Sequence, residues 1–158
     1  EADSDDYVTH FLLYRWCTEQ GWAGMRPELL EDFGNNLRLN CQLTLMRFLA
    51  LQVNSLPEGK DMLKELKTAF QEYDPPAENV LQNGLTILKQ ADLRQSLRLL
   101  QCPVNIIHGD KDTLVPVQAS LNMKKIKPDA RVHIVSGAGH VPFLSHQAQL
   151  IEIISQCI

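Results

Sequence analysis

From Leu100 onward the chain alternates short β-branched runs with segments of helical pattern, and this alternation restricts the fold more than any other feature of the sequence. Val104-Asn105-Ile106-Ile107-His108-Gly109 reads as a buried strand ending in a glycine turn, and Arg131-Val132-His133-Ile134-Val135 reads as a second strand. Helices are expected from about Pro116 to Lys125 and from about Ser145 to Gln156, the second carrying Leu150, Ile151 and Ile154. Strand, helix, strand, helix is the grammar of a parallel α/β sheet. Two strands cannot fill such a sheet, because parallel sheets are buried on both faces and normally hold several strands. The remainder is expected from the aromatic run Tyr7-Val8-Thr9-His10-Phe11-Leu12-Leu13-Tyr14 or from another polypeptide, and a second copy of this chain could also supply it.

Upstream, four helices are expected between residues 27 and 90. Pro27 suits a first turn, and Leu29, Leu30, Phe33 and Leu37 share a face of the first helix. Leu45, Phe48, Leu49 and Gln52 belong to the second. The third opens at Ser55-Leu56-Pro57-Glu58 as a capping box and carries Met62, Leu63, Leu66 and Phe70. Asp74-Pro75-Pro76 ends it, and Pro76 begins a fourth with Val80, Leu81, Leu85 and Leu88. The expected division is an acidic tip with a candidate strand over 1–16, a helical part over 17–99 and a β-α-β-α part over 100–158.

Composition removes whole classes of function. A length of 158 residues, 44% apolar and 22% charged, suits a single packed core and excludes disordered, collagen-like and coiled-coil chains. No apolar run is long enough for a bilayer span. A net charge of -4 supplies no counterion-release drive, so nucleic acid is not an expected partner. Cys17, Cys41, Cys102 and Cys157 match neither a zinc signature nor a compact disulfide scaffold, which points to reduced thiols and a cytoplasmic location, with Cys102 a buried small hydrophobe. The start, with Glu1, Asp3, Asp5 and Asp6 and no methionine, is not that of a signal peptide or of a natural translation start, so a processed, truncated or incomplete chain is expected.

Chemistry concentrates in two segments, each following a strand: Gly109-Asp110-Lys111-Asp112-Thr113-Leu114-Val115-Pro116 and Gly137-Ala138-Gly139-His140-Val141-Pro142-Phe143. The carboxyl ends of neighbouring parallel strands share one rim of a sheet, where open α/β folds place their sites. A carboxylate at Asp112 could there accept the Nδ1 proton of His140, fix its tautomer and stabilise the imidazolium formed when Nε2 takes a proton from a nucleophile. Asp110 competes as the acid, a turn-capping role being its plainer explanation. His10, His108, His133 and His146 stand without paired ligands at metal-site spacing, so local hydrogen bonding is expected of each, with His108 at the rim of the site. No metal is expected. No dinucleotide or phosphate-loop glycine pattern is present either, and no cofactor is expected.

The G-D-x-D-x-x-V-P and G-H segments, in that order, resemble the last two triad segments of the α/β-hydrolase family. Trp22-Ala23-Gly24-Met25-Arg26-Pro27, Arg47-Phe48-Leu49-Ala50-Leu51-Gln52, Asn83-Gly84-Leu85-Thr86-Ile87-Leu88-Lys89, Asp92-Leu93-Arg94-Gln95 and Pro142-Phe143-Leu144-Ser145-His146 are similar to the carboxylesterases of biotin synthesis, which act on a pimeloyl-acyl-carrier-protein methyl ester. The resemblance runs from about residue 17 to the end. It implies an α/β fold: the C-terminal part of a hydrolase sheet with an α-helical lid, the core sheet incomplete unless another chain or copy completes it. It further implies Asp112 and His140 as catalytic acid and base, Phe48 and Phe143 as lining of an acyl pocket, and Arg47, Lys60 and Lys64 as contacts for an acyl carrier protein. The plainer account of the lysines is a solvated helix face, since Lys60, Lys64 and Lys67 are interleaved with Asp61 and Glu65.

The chain departs from the family in one respect. None of Ser4, Ser55, Ser96, Ser120, Ser136, Ser145 and Ser155 stands in a G-x-S-x-G nucleophile elbow. Ser136 comes nearest and reads as a loop residue. The expectation is therefore a carboxylesterase fragment or truncated form, inactive alone for want of its serine and able to pair with a complementing N-terminal segment. The alternative is a non-enzymatic, hydrolase-derived module that binds acyl carrier protein or self-associates as a homodimer.

Overall fold

The computed structural model describes residues 21–53, 58–72 and 76–157. The expected strand at Tyr7 to Tyr14 lies outside these residues, as do Cys17 and most of the expected capping box.

Four helices fill the first half of the described chain. Helix α1 (Pro27–Leu39) begins on Pro27, whose missing N–H has no intrahelical partner to lose, and buries Leu30, Gly34 and Leu37 along one stripe. Helix α2 (Cys41–Val53) follows after a single residue, Asn40, whose side-chain oxygen accepts the Leu43 N–H at 3.0 Å and caps the new helix. The two pack through Phe33 and Phe48, with ring centroids 5.5 Å apart.

Helix α3 (Gly59–Gln71) packs on α2 and starts later than the capping box predicts: Glu58 sits at its N-cap and makes no side-chain cap bond. Helix α4 (Glu78–Gln90) likewise begins two residues after Pro76. Its expected apolar stripe is only half used, Leu81 and Leu85 being partly covered while Val80 and Leu88 are exposed. Leu85 meets Gly34 of α1, where a Cβ would come within 3.1 Å of its Cδ1, so the glycine lets the two helices approach.

A short helix the sequence reading does not anticipate, α5 (Arg94–Leu99), leads into the sheet. Six residues are too few for a helical period to register. Its geometry is set instead by side chains. Asp92 accepts the Arg94 backbone N–H at 3.2 Å and holds the guanidinium through two further bonds, while the guanidinium lies 5.4 Å from the Trp22 ring. The chain is thus tied to itself where it enters the four helices and where it leaves them.

Strand β1 (Asn105–Gly109) pairs in parallel with β2 (Arg131–Val135), Ile106 opposite Val132 and His108 opposite Ile134. Between them runs α6 (Gln118–Ile126), starting two residues later than expected. The buried core gathers Trp22, Leu97, Val104, Ile106, Met123 and Ala130, with Leu93, Leu100, Ile126 and Val132 packed against it. Trp22 and Leu97 therefore anchor the helical half on the sheet half. Cys102 is half-buried in the lead into β1, less enclosed than expected.

The expected final helix is α8 (Gln147–Ser155), two residues shorter at its start, and a single turn the sequence does not announce, α7 (Pro142–Ser145), precedes it. The break falls at His146, whose φ of -133° and ψ of 43° are not helical and whose Nδ1 bonds the neighbouring Ser145 hydroxyl at 2.8 Å. Among the described residues the sheet has two strands.

Candidate active site

Because β1 and β2 run parallel, the loops that follow them leave the same edge of the sheet, and backbone bonds join the two tips. The Asp110 N–H donates to the Val135 carbonyl at 3.1 Å and the Lys111 N–H to the Ala138 carbonyl at 2.8 Å. Asp110 adds a side-chain tie, its Oδ1 accepting the Gly137 N–H at 2.7 Å and its Oδ2 facing the Ser136 hydroxyl at 3.4 Å. Gly137 has a φ of 82°, in the left-handed region that glycine enters without strain. A Cβ on Gly109 would stand well inside van der Waals contact of the Ala138 and Gly139 carbonyl oxygens. The approach of the two loops thus depends on a glycine at each tip.

This stitching brings Asp112 and His140 together. The His140 Nδ1 lies 2.8 Å from Asp112 Oδ2, with side-chain exposures of 16% and 5%. The other carboxylate oxygen, Oδ1, accepts the backbone N–H groups of Leu114 at 2.8 Å and Val115 at 2.9 Å. Burial by itself pushes the Asp112 carboxyl upward. Hydrogen bonds from His108, His140 and the Val115 backbone outweigh it and hold the group well below the usual carboxylate range. Asp112 is therefore an ionised acceptor. An imidazole whose Nδ1–H is held by such a carboxylate presents its Nε2 lone pair, and the carboxylate stabilises the imidazolium once that lone pair takes a proton.

Asp110 is exposed and bonded to the 136–137 turn rather than to an imidazole. Its capping is of the neighbouring loop and not of its own turn. Ser136 is exposed in that same turn.

His108 lies at the rim, where its place before the turn puts it, and the sequence leaves only its partners unread. His108, near the end of β1, turns its ring toward the site: Nε2 is 3.0 Å from the Val115 carbonyl and 3.4 Å from Asp112 Oδ2, and Nδ1 is 2.5 Å from the Ser120 hydroxyl of α6. Strand position alone suggests local hydrogen bonding at the rim. The partner twelve residues away on the crossover helix has no signature in the sequence.

The other predicted residues lie in the helices. Phe48 is half-buried against Phe33, and Phe143, the second residue of α7, is 40% exposed, three residues beyond His140. Arg47 on α2 and Lys60 and Lys64 on α3 are exposed. The end of α2 abuts the histidine loop, the Gln52 carbonyl lying 3.5 Å from where a Gly139 Cβ would be. Gln52 itself is buried, and its Oε1 has no hydrogen-bond partner among the described residues. The described residues hold no cluster of three or more His, Cys, Asp or Glu that could bind a metal. None of the described helices is long and apolar enough to cross a membrane.

Residues 19–147 match the family model described as alpha/beta hydrolase fold. The chain is 34% identical over 137 residues to the pimeloyl-[acyl-carrier protein] methyl ester esterase of Aliivibrio fischeri, covering 87% of this chain and 53% of that protein. It is 36% identical to the protein of the same name from Serratia marcescens, covering 87% and 54%. The chain spans about half the length of the curated relatives it matches. Among solved structures, an esterase from Exiguobacterium antarcticum superposes with a TM-score of 0.75 at 19% identity, covering 91% of this chain and 53% of that one, a likeness of fold. With parallel strands delivering a carboxylate and an imidazole to one rim, and a family match over most of its length, this chain belongs to the α/β-hydrolase family.

Proposed function

We propose that this chain supplies the acid, the base and the helical lid of a cytoplasmic serine carboxylesterase that hydrolyses a pimeloyl-acyl-carrier-protein methyl ester in biotin synthesis. The observation that carries this reading is the 2.8 Å contact between Asp112 Oδ2 and His140 Nδ1 at the ends of neighbouring parallel strands. The names of the curated relatives support the substrate.

In this reading His140 Nε2 takes the proton of a serine hydroxyl as its oxygen attacks the ester carbonyl. The imidazolium returns the proton to the departing methoxide, which leaves as methanol. Water then hydrolyses the acyl-serine with His140 again as base, and Asp112 stays ionised throughout. Residues 17–99 form the lid, with Phe48 and Phe143 against the acyl chain. Arg47, Lys60 and Lys64 face the acidic carrier protein, an arrangement that would speed encounter more than it adds affinity.

The nucleophile and oxyanion donors come, in this reading, from sequence outside these 158 residues. No serine here stands in a Gly-x-Ser-x-Gly frame, and Ser120 is wholly buried. Loss of a triad nucleophile lowers turnover by about a millionfold. The purified chain is therefore expected to hydrolyse p-nitrophenyl butyrate no faster than buffer. Co-expression with a hydrolase segment bearing an elbow serine should restore hydrolysis, and His140→Ala should abolish it. Robust His140-dependent activity of the chain alone would overturn the fragment reading. Failure of every complementing segment would favour the second reading, a hydrolase-derived binding module, which Ile134, exposed on the two-stranded sheet of the described residues, supports.

A further inference from the structure

We propose that His108 is a positioning residue for the acid, a second imidazole that clamps the Asp112 carboxylate in the orientation His140 needs; this rests on the reading of Asp112 and His140 as acid and base. His108 occupies a strand position on the same face as Ile106, where an aliphatic side chain would serve the core without any polar atom to satisfy. The ring is buried at 8% exposure, and both nitrogens are engaged. At Nε2 the neighbours are the Val115 carbonyl at 3.0 Å and Asp112 Oδ2 at 3.4 Å, both acceptors, so Nε2 carries the proton, bonded to the carbonyl and facing the carboxylate across the longer contact. In the neutral ring Nδ1 then accepts the proton of the Ser120 hydroxyl, 2.5 Å away, and this bond fixes the tautomer.

Asp112 is accordingly held at both oxygens. Two backbone N–H groups fix Oδ1, and two imidazoles converge on Oδ2. Bonds to Oδ1 alone leave the carboxylate able to pivot, and a pivot of a few tenths of an ångström lengthens the His140 contact. The His108 ring, locked between Ser120 and Val115, opposes that motion. Ser120, His108 and Asp112 thus line up as serine, imidazole and carboxylate. They do not form a second hydrolytic triad, because Ser120 is 0% exposed and no substrate can reach its hydroxyl. The line acts only through Asp112.

The test is nuclear magnetic resonance on the full 158-residue chain labelled with nitrogen-15, reading imidazole tautomers and the solvent-exchange rate of the His140 Nδ1 proton. In the wild type, His108 should carry its proton on Nε2 and His140 on Nδ1. His108→Phe, which removes the donor, should accelerate His140 proton exchange about tenfold, the scale of one lost charge-assisted hydrogen bond. His108→Gln, whose amide can place a donor near the Nε2 position, should recover most of the loss, a rescue that simple core filling would not give. If His108→Phe does not fold, Ser120→Ala decides: it should mix the His108 tautomers and accelerate His140 exchange to a smaller degree. Unchanged exchange in a folded His108→Phe, unchanged exchange in Ser120→Ala, or a proton found on His108 Nδ1 in the neutral ring would overturn the proposal. Asp112→Asn separates the two readings. If that variant leaves the His140 tautomer and exchange unaltered, the acid and base reading itself fails; if it alters them while His108→Phe does not, only the role of His108 falls.

Discussion

Asp112 gathers more of the site's energetics than any other side chain, because a nearly buried carboxylate survives as an anion only where donors surround it. Its carboxyl is held below the ordinary value of 3.8, so protons bind more tightly to the unfolded chain. The stabilisation is complete above that value and is lost as pH falls below it toward the folded value. Asp112→Asn should therefore lower stability at neutral pH by about 2 kcal/mol. The gap to the wild type should narrow in urea titrations below pH 3.8. Gly109 makes a different demand, since two fixed carbonyl oxygens occupy the place of its missing Cβ. Gly109→Ala should lower stability on the order of 3 kcal/mol, seen as a reduced urea midpoint, because backbone rather than a flexible side chain must move. At this scale the meeting of Asp112 with His140 was legible in the sequence, each residue standing a few positions past a recognisable strand. The His108 clamp was not. Its partner Ser120 is an ordinary polar residue in a helix, and only the packing of α6 on the sheet gives it a role.

Elements were legible in proportion to their length and period. Helices α1 and α2 contain the residues whose apolar spacing marks them, and both strands fall within a residue of the expected bounds. The boundaries of α3 and α4 moved inward because Ser/Pro signals mark where a helix can begin, and the first bonded turn formed a few residues later. Helices α5 and α7, of six and four residues, are too short for a helical period to register. Asn40 is the clearest local device at this scale, closing α1 and capping α2 within one residue. Asn40→Ala should lower stability by about 1 kcal/mol, readable as a lower urea midpoint with an unchanged m-value. The Asp112 and His140 contact should survive it.

At the scale of the molecule, the two-stranded parallel sheet of the described residues supplies one rim and the two residues on it, while the curated relatives the chain matches are about twice as long. The family was legible because the G-D-x-D-x-x-V-P and G-H segments that carry the resemblance each follow a strand. Activity was less so, since turnover needs a nucleophile that no serine in these residues is framed to be. The most direct measurement is methanol release from a pimeloyl-acyl-carrier-protein methyl ester by this chain assembled with a segment bearing an elbow serine. The account predicts turnover that falls about a millionfold with His140→Ala and about ten-thousandfold with Asp112→Asn, the pattern of a base and the acid that orients it. Turnover that survives His140→Ala undiminished would contradict it.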